Sequence, residues 1–319
     1  MLLAGGALVV LALAVLSLTV GVFDVSWRGI IEGGADRADA LVLLASRVPR
    51  TIAVLLVGAS MGVAGLLMQL LSRNRFVAPS TAGTVESASL GILVAMLLAP
   101  AAPIMVKMLI SAAFALAGTA LLMAIVGRTP LRSPLVVPLI GLMLGGVIGA
   151  ATTFIAYRFD LLQSLASWTT GDFSRVLRGR YELLWVAGGL TALAYFAADR
   201  FTVAGMGESF TKNLGLNYRR VMALGLVIVA LVTAVNVVTV GAVPFIGLVV
   251  PNVVSLLVGD NVRRAVPWIA IFGAGFVLAC DLIGRTLRYP YEVPVGTVIG
   301  VVGAALFLFL LFRRSARVG

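Results

Sequence analysis

Ten stretches of this chain are apolar for long enough to cross a bilayer or nearly so, and they leave almost no sequence for anything else. A span needs about 20 apolar residues. The runs lie at Leu2–Phe23, 51–71, 84–99, 104–126, 134–157, 183–198, 221–240, 243–258, 266–283 and 293–312 of 319 residues. In hydrocarbon every backbone polar group must be satisfied within the protein, so such runs fold as helices. The expected fold is all-α: one transmembrane domain over 1–319, a polytopic bundle of about ten spans. The run at 243–258 is short and carries Pro244 and Pro251, which predicts a broken or tilted helix buried by protein. The first run lacks a basic start and is too long for a signal-peptide core, so it reads as a retained helix.

Composition removes most chemistry. With 61% apolar and 12% charged residues, the chain has about half the charge of a soluble domain. It has no histidine and a single cysteine, Cys280. Imidazole or thiolate metal sites, disulfides and Ser/His or Cys/His catalysis are therefore excluded, and no cofactor is expected. The net charge of +11 comes from arginines scattered between apolar runs, not from a basic stripe interleaved with aromatics, so nucleic acid is not a partner. A phosphate-binding loop needs G-x-x-x-x-G-K-[ST]; Thr211–Lys212–Asn213 has neither the glycine nor the hydroxyl. If ATP powers this protein, another chain binds it.

With both termini in the cytoplasm, the pairs Arg219/Arg220 and Arg263/Arg264 fall inside, and Asp24, Glu32, Asp36, Asp39, Asp172, Glu182, Asp281 and Glu292 fall outside. Basic residues divide almost evenly, so the external arginines need a role of their own. Arg47 and Arg50, in R-V-P-R before the second span, are spaced to project two guanidiniums toward one partner. Arg285 sits at the outer end of the ninth span near Arg288, Tyr289, Tyr291 and Glu292. These arginines suit either phosphate headgroups or carboxylates of a soluble partner, and charge reversal is expected to weaken docking without unfolding. Asp281 and Arg285 are also an i, i+4 pair, which satisfies part of that charge internally.

Gly58/Gly62, Gly141/Gly145/Gly149 and Gly296/Gly300 repeat at four-residue spacing, which puts them on one helix face for close packing or a smooth pathway wall. The segment at 200–220 is the longest predicted cytoplasmic connection, mildly amphipathic and broken by glycines, suited to a loop or to a helix entering a partner's groove. Glu86, at the start of the third span, is an ionisable residue at membrane depth and hence a candidate for function.

Five ordered stretches carry a family resemblance: RVPRTIAVLLVGASMGVAGLLMQ (47–69), RNRFVAPSTAGTVESASLG (73–91), MGESFTKNLGLN (206–217), GAVPFIGLVVPNVVSLLVGDNVRRAVP (241–267) and DLIGRTLRYPYEVPVGTVIGVVGAALFLFLL (281–311). The chain resembles the FecCD-type permease subunits of bacterial importers for iron–siderophore, haem and cobalamin. The resemblance implies ten helices, an ATPase dimer, an extracytoplasmic binding protein, a second permease subunit and a ferric chelate as substrate, in the bacterial plasma membrane. It also implies that Arg47, Arg50 and Arg285 meet acids of the binding protein. Gly207, Glu208, Leu214 and Gly215 match the coupling pattern that enters the ATPase. The fifth and tenth spans line the pathway between two permeases, which places Gly141, Gly145, Gly149, Gly296 and Gly300 there.

The departures are Arg73–Asn74–Arg75–Phe76 for R-N-P-L, Val250–Pro251–Asn252 for V-P-H, Gly303–Ala304–Ala305 for G-A-P, and the acid Glu86. This variant is closest to a branch importing ferric catecholate or mixed-ligand siderophores, often with a second, different permease. A haem or cobalamin permease is the alternative within the family. An ion-coupled secondary transporter is the alternative outside it, with Glu86 as its candidate coupling acid.

Overall fold

The computed structural model describes residues 2–21, 41–81, 83–128, 136–259 and 261–315. The acids Asp24, Glu32, Asp36 and Asp39 and the end of the first run at Phe23 lie outside them. The helices are α1 (Leu2–Thr19), α2 (Val48–Leu71, after a π turn at Leu43–Arg47), α3 (Thr84–Leu98), α4 (Ile104–Arg128) and α5 (Val136–Arg158). They continue as α6 (Leu162–Thr169), α7 (Leu184–Phe196), α8 (Ala198–Met206), α9 (Glu208–Asn213) and α10 (Tyr218–Val240), then α11 (Ile246–Val258), α12 (Val262–Thr286) and α13 (Val295–Ser315). Six of them (α2, α4, α5, α10, α12 and α13) are long and apolar enough to cross a membrane. Four shorter apolar helices, α1, α3, α7 and α11, account one for one for the remaining predicted runs. One end of the bundle carries Thr19, Arg50 and Arg285, the other carries α8 and α9.

Helix α2 is the axis of the bundle, and its small residues explain why. A Cβ on Gly58 would lie 2.3 Å from Gly273 O of α12, and one on Gly65 would lie 2.1 Å from Gly247 O of α11. Backbones this close require glycine, so the 58/62/65 stripe is an internal packing face. Gly62 lies on the same face, against Ile269 of α12. The short α11 answers the proline question physically. Pro251 has no N–H, which leaves the carbonyl of Gly247 without its helical donor. Gln69 of α2 supplies the missing bond, its Nε2 donating to Gly247 O at 3.2 Å. Hydroxyls knit α3 to α4 in the same way: Thr84 and Thr119 share a hydrogen bond of 2.9 Å, and Ser111 Oγ donates to Ala88 O at 2.9 Å.

Burial is uneven along the bundle. The most apolar stretches of α2 and α10 are each 72% buried, whereas those of α5 and α13 are only 22% buried. These two helices therefore present most of their surface outward.

Replacing Gly65 with leucine is expected to push α2 off α11 and strip Gly247 O of its Gln69 donor. Overpacking of this kind reaches about 3 kcal/mol or more. Thermal unfolding of the detergent-purified protein checks it, and a variant melting with the wild type would show that the two backbones are not in contact.

Candidate functional site

The sequence-selected residues fall into three places. The first is the arginine end. Arg47, Arg50 and Arg285 are 6%, 9% and 5% exposed, and Asp281 between them is wholly buried. The expectation that these arginines stand out from the surface is therefore corrected: their hydrogen bonds are made inside the chain. Arg50 reaches Asp281 Oδ1 with Nη2 at 2.8 Å and Glu292 Oε2 with Nη1 at 2.7 Å. Arg285 pairs with the other oxygen of Asp281 and donates through Nη1 to Ser17 O at 2.9 Å and Val20 O at 3.2 Å. Arg47 Nη1 donates to Leu18 O at 2.7 Å and Thr19 O at 3.1 Å. The last carbonyls of α1 have no donors within their own helix, and two arginines from distant segments cap them. Arg50, Arg285, Asp281 and Glu292 form a charge-balanced quartet. Among the described residues, the exposed cations at this end are instead Arg158, Arg175, Arg178, Arg180 and Arg288.

The second place is the α3–α5 contact. A Cβ on Gly145 would lie 3.3 Å from both Cδ and Oε2 of Glu86, and one on Gly149 3.9 Å from Glu86 Cγ. Gly141 O lies 3.7 Å from a Cβ built on Gly83. The α5 glycine stripe is thus turned toward α3, where it leaves room for the Glu86 side chain, and Glu86 Oε2 is buried with no hydrogen-bond partner. The outward face of α5 is formed by Leu142, Met143, Val147 and Phe154, all exposed. On α13, Gly296 N donates to Gly171 O at 2.8 Å, so this glycine packs on its own chain's 170–172 segment. Gly300 meets only Pro244 Cγ, at 4.0 Å.

The third place is the corner between α8 and α9. Gly207, with φ +121°, turns the chain, and the buried Thr211 locks the turn by donating its hydroxyl to Gly207 O at 2.6 Å and Val203 O at 3.1 Å. Gly215, with φ +75°, ends α9 with paired bonds from Gly215 N to Lys212 O and from Leu216 N to Thr211 O. That is a Schellman cap, which favours glycine at this position. Glu208 is exposed, and a hydrogen bond from Lys212 Nζ at 2.8 Å holds its carboxyl below the usual carboxylate range. Met206, Phe210 and Leu214 stand out together, 59%, 47% and 56% exposed. Of these three, sequence reasoning selected only Leu214. The four-residue spacing was the available signal, obscured because it crosses the Gly207 turn.

Among the described residues, six membrane-length and four shorter apolar helices around a glycine-lined axis, with a two-helix corner at one end, define a polytopic membrane protein. The FecCD transport family model matches residues 8–313, and the chain belongs to that family of transport permeases. Membership implies an ATPase, a substrate-binding protein and a second permease as partners. The chain is 47% identical over 309 residues to the petrobactin import system permease protein YclN of Bacillus subtilis (strain 168), covering 97% of each. It is 41% identical over 307 residues to the petrobactin import system permease protein FatD of Bacillus anthracis, covering 96% of this chain and 90% of that one. A solved inward-facing structure of a metal-chelate type ABC transporter superimposes with TM-score 0.84 at 24% identity, covering 98% of this chain and 99% of that one, a likeness of fold.

Proposed function

We propose that this chain is the permease subunit of an ATP-driven importer that carries a ferric siderophore across the bacterial plasma membrane. The observation that carries the reading is the exposed ridge of Met206, Phe210 and Leu214 on a rigid helical corner. Apolar side chains held out at the end of a membrane bundle suit a groove on a soluble partner. A separate ATPase dimer supplies that groove, with Gly207, Glu208, Leu214 and Gly215 shaping the contact within the 200–220 coupling segment of a single permease domain. The α8–α9 end then faces the cytoplasm, with Leu2 and Ser315 at the same end. The substrate class follows from the petrobactin relatives, whose identity to this chain extends over nearly its full length.

The opposite end receives the extracytoplasmic binding protein. Arg47, Arg50 and Arg285 contribute by fixing the shape of that rim, and the exposed arginines around them meet the partner's acids. A second permease, a different chain in preference to an identical one, covers the outward faces of α5 and α13. The pathway runs along that seam, beside the helices that carry Gly141, Gly145, Gly149, Gly296 and Gly300.

One observation favours the alternative of ion-coupled transport: the buried, unpartnered Oε2 of Glu86. Uptake of a labelled ferric chelate into vesicles with collapsed ion gradients separates the two. The Glu86→Gln variant of the assembled complex is expected to retain ATP-dependent uptake. Uptake by this chain alone that follows an imposed gradient, and is lost in the Gln variant, would overturn the importer reading.

A further inference from the structure

The chain is not helical at 241–245, between α10 and α11, and this break lies part-way down the bundle. Helix α11 has 13 residues, about 20 Å, which is short of the roughly 30 Å of a bilayer's hydrocarbon core. Its C-terminal half lies at the α8–α9 end, where Pro251 and Ser255 share a cavity wall with Gly205 of α8. Its first turn therefore begins at mid-depth. Helix α13 gives the same depth from the other end. Gly303 lies about 12 Å below its first residue, and a Cβ there would be 2.7 Å from Phe245 Cβ. Non-helical backbone at such a depth is stable only where protein buries it or where it lines a water-filled cavity. Protein holds the start of the break, with Ala242 N donating to Thr169 O at 2.9 Å. Phe245, at its end, is only half-buried.

Phe245 is an unexpected residue for its position. Its φ of +61° is left-handed, where a Cβ crowds the backbone and a bulky side chain is an outlier. It also precedes α11 as the N-cap, a place that favours a side chain able to accept a hydrogen bond, and no such bond is made. A phenylalanine kept against both preferences points to a use for its ring. The ring rests against the bare backbone of Gly303 on one flank. On the other, a Cβ built on Gly247 would lie 3.2 Å from Pro79 Cδ, in the turn Pro79–Thr81 that packs on α5. The break thus lies between α5 and α13, whose most apolar stretches are only 22% buried.

We propose that Phe245 lines the translocation pathway and is the aromatic surface that the ferric chelate meets at mid-depth. This rests on the importer reading, which runs the pathway along the α5–α13 seam. An aromatic ring offers its face to apolar or aromatic parts of a cargo and displaces no ligand from the cargo's metal.

The test uses the scarcity of thiols in this chain. Cys280 is its single cysteine and is buried, so Cys280→Ala gives a thiol-free background. Phe245→Cys and Val227→Cys are made in it, and each is reconstituted with the second permease, the ATPase and the binding protein. Val227 is 38% exposed near the middle of α10, which packs chiefly on α4, α2 and α7. A charged methanethiosulfonate reacts with thiols in water and not in lipid. It should label the Phe245→Cys thiol much faster than the Val227→Cys thiol, and transported chelate should slow the reaction several-fold. The chelate is the one best taken up by wild type from a panel of labelled ferric catecholate, hydroxamate and citrate complexes. Phe245→Gly suits the left-handed backbone, so its melting midpoint should equal or exceed that of the wild type. Its ATP-driven uptake should nevertheless fall about threefold to tenfold. A Phe245→Cys thiol that labels no faster than the Val227→Cys thiol, labelling that the chelate does not slow, or wild-type uptake by Phe245→Gly would each overturn the assignment. Wild-type uptake in the same vesicles keeps the two readings apart. Its absence for every chelate would count against the importer itself, whereas normal uptake beside an unreactive Phe245→Cys thiol would count against this site alone.

Discussion

Arg50→Glu is expected to cost the folded protein about 3–5 kcal/mol, the penalty for leaving a buried charge without its partner. Asp281 is wholly buried and accepts from Arg50 and Arg285 on its two oxygens. Reversing Arg50 sets a second carboxylate against it, and Glu292 loses its cation as well. The defect should therefore appear as a lower melting temperature and reduced recovery from membranes, before any docking measurement is made. Arg50→Lys should fall between, because an ammonium keeps the charge but cannot reach Asp281 and Glu292 as a fork does. Arg178→Glu and Arg288→Glu, at exposed positions, should leave the melting temperature unchanged and slow association with the binding protein at low salt. If Arg50→Glu melts with the wild type and loses only docking, Arg50 faces the partner and the quartet is not structural.

The sequence reading of this region fell short for an identifiable reason. Charges near the end of an apolar run look interfacial, and the i, i+4 relation of Asp281 to Arg285 was all that spacing could reveal. Ser17, Leu18 and Thr19 are 28 or more positions away from the arginines that cap them, and no local pattern links them. The ten runs, by contrast, were readable because the need to satisfy every backbone group in hydrocarbon acts on each segment separately. The short α11 was readable from its two prolines, although its Gln69 partner was not. Glycine spacing identified a face but not its neighbour: Gly58 and Gly62 meet α12, whereas Gly145 and Gly149 leave room for Glu86.

Phe210→Asp is expected to abolish ATP-driven uptake while leaving the permease folded. Phe210 is 47% exposed on the two-turn α9, so the substitution disturbs little internal packing. A central aromatic anchor at an interface contributes about 2 kcal/mol or more, which corresponds to a roughly 30-fold weaker complex. A carboxylate adds the cost of desolvating a charge in an apolar groove. Leu214→Asp should act in the same direction. Gly207→Val should reach the same result by another route. Its backbone, at φ +121° and ψ 166°, lies in a region essentially reserved for glycine, and its Cβ would sit 2.5 Å from Arg73 Nη2. The ridge would then be turned away from its groove even though its side chains are intact. Gly215→Asn is the control, because asparagine tolerates the left-handed cap and nothing lies within 4 Å of a Cβ there. Co-purification of the ATPase with each variant, alongside thermal unfolding of the permease alone, separates lost assembly from lost folding. Full recovery of the ATPase on Phe210→Asp and Leu214→Asp would remove the ridge from the contact.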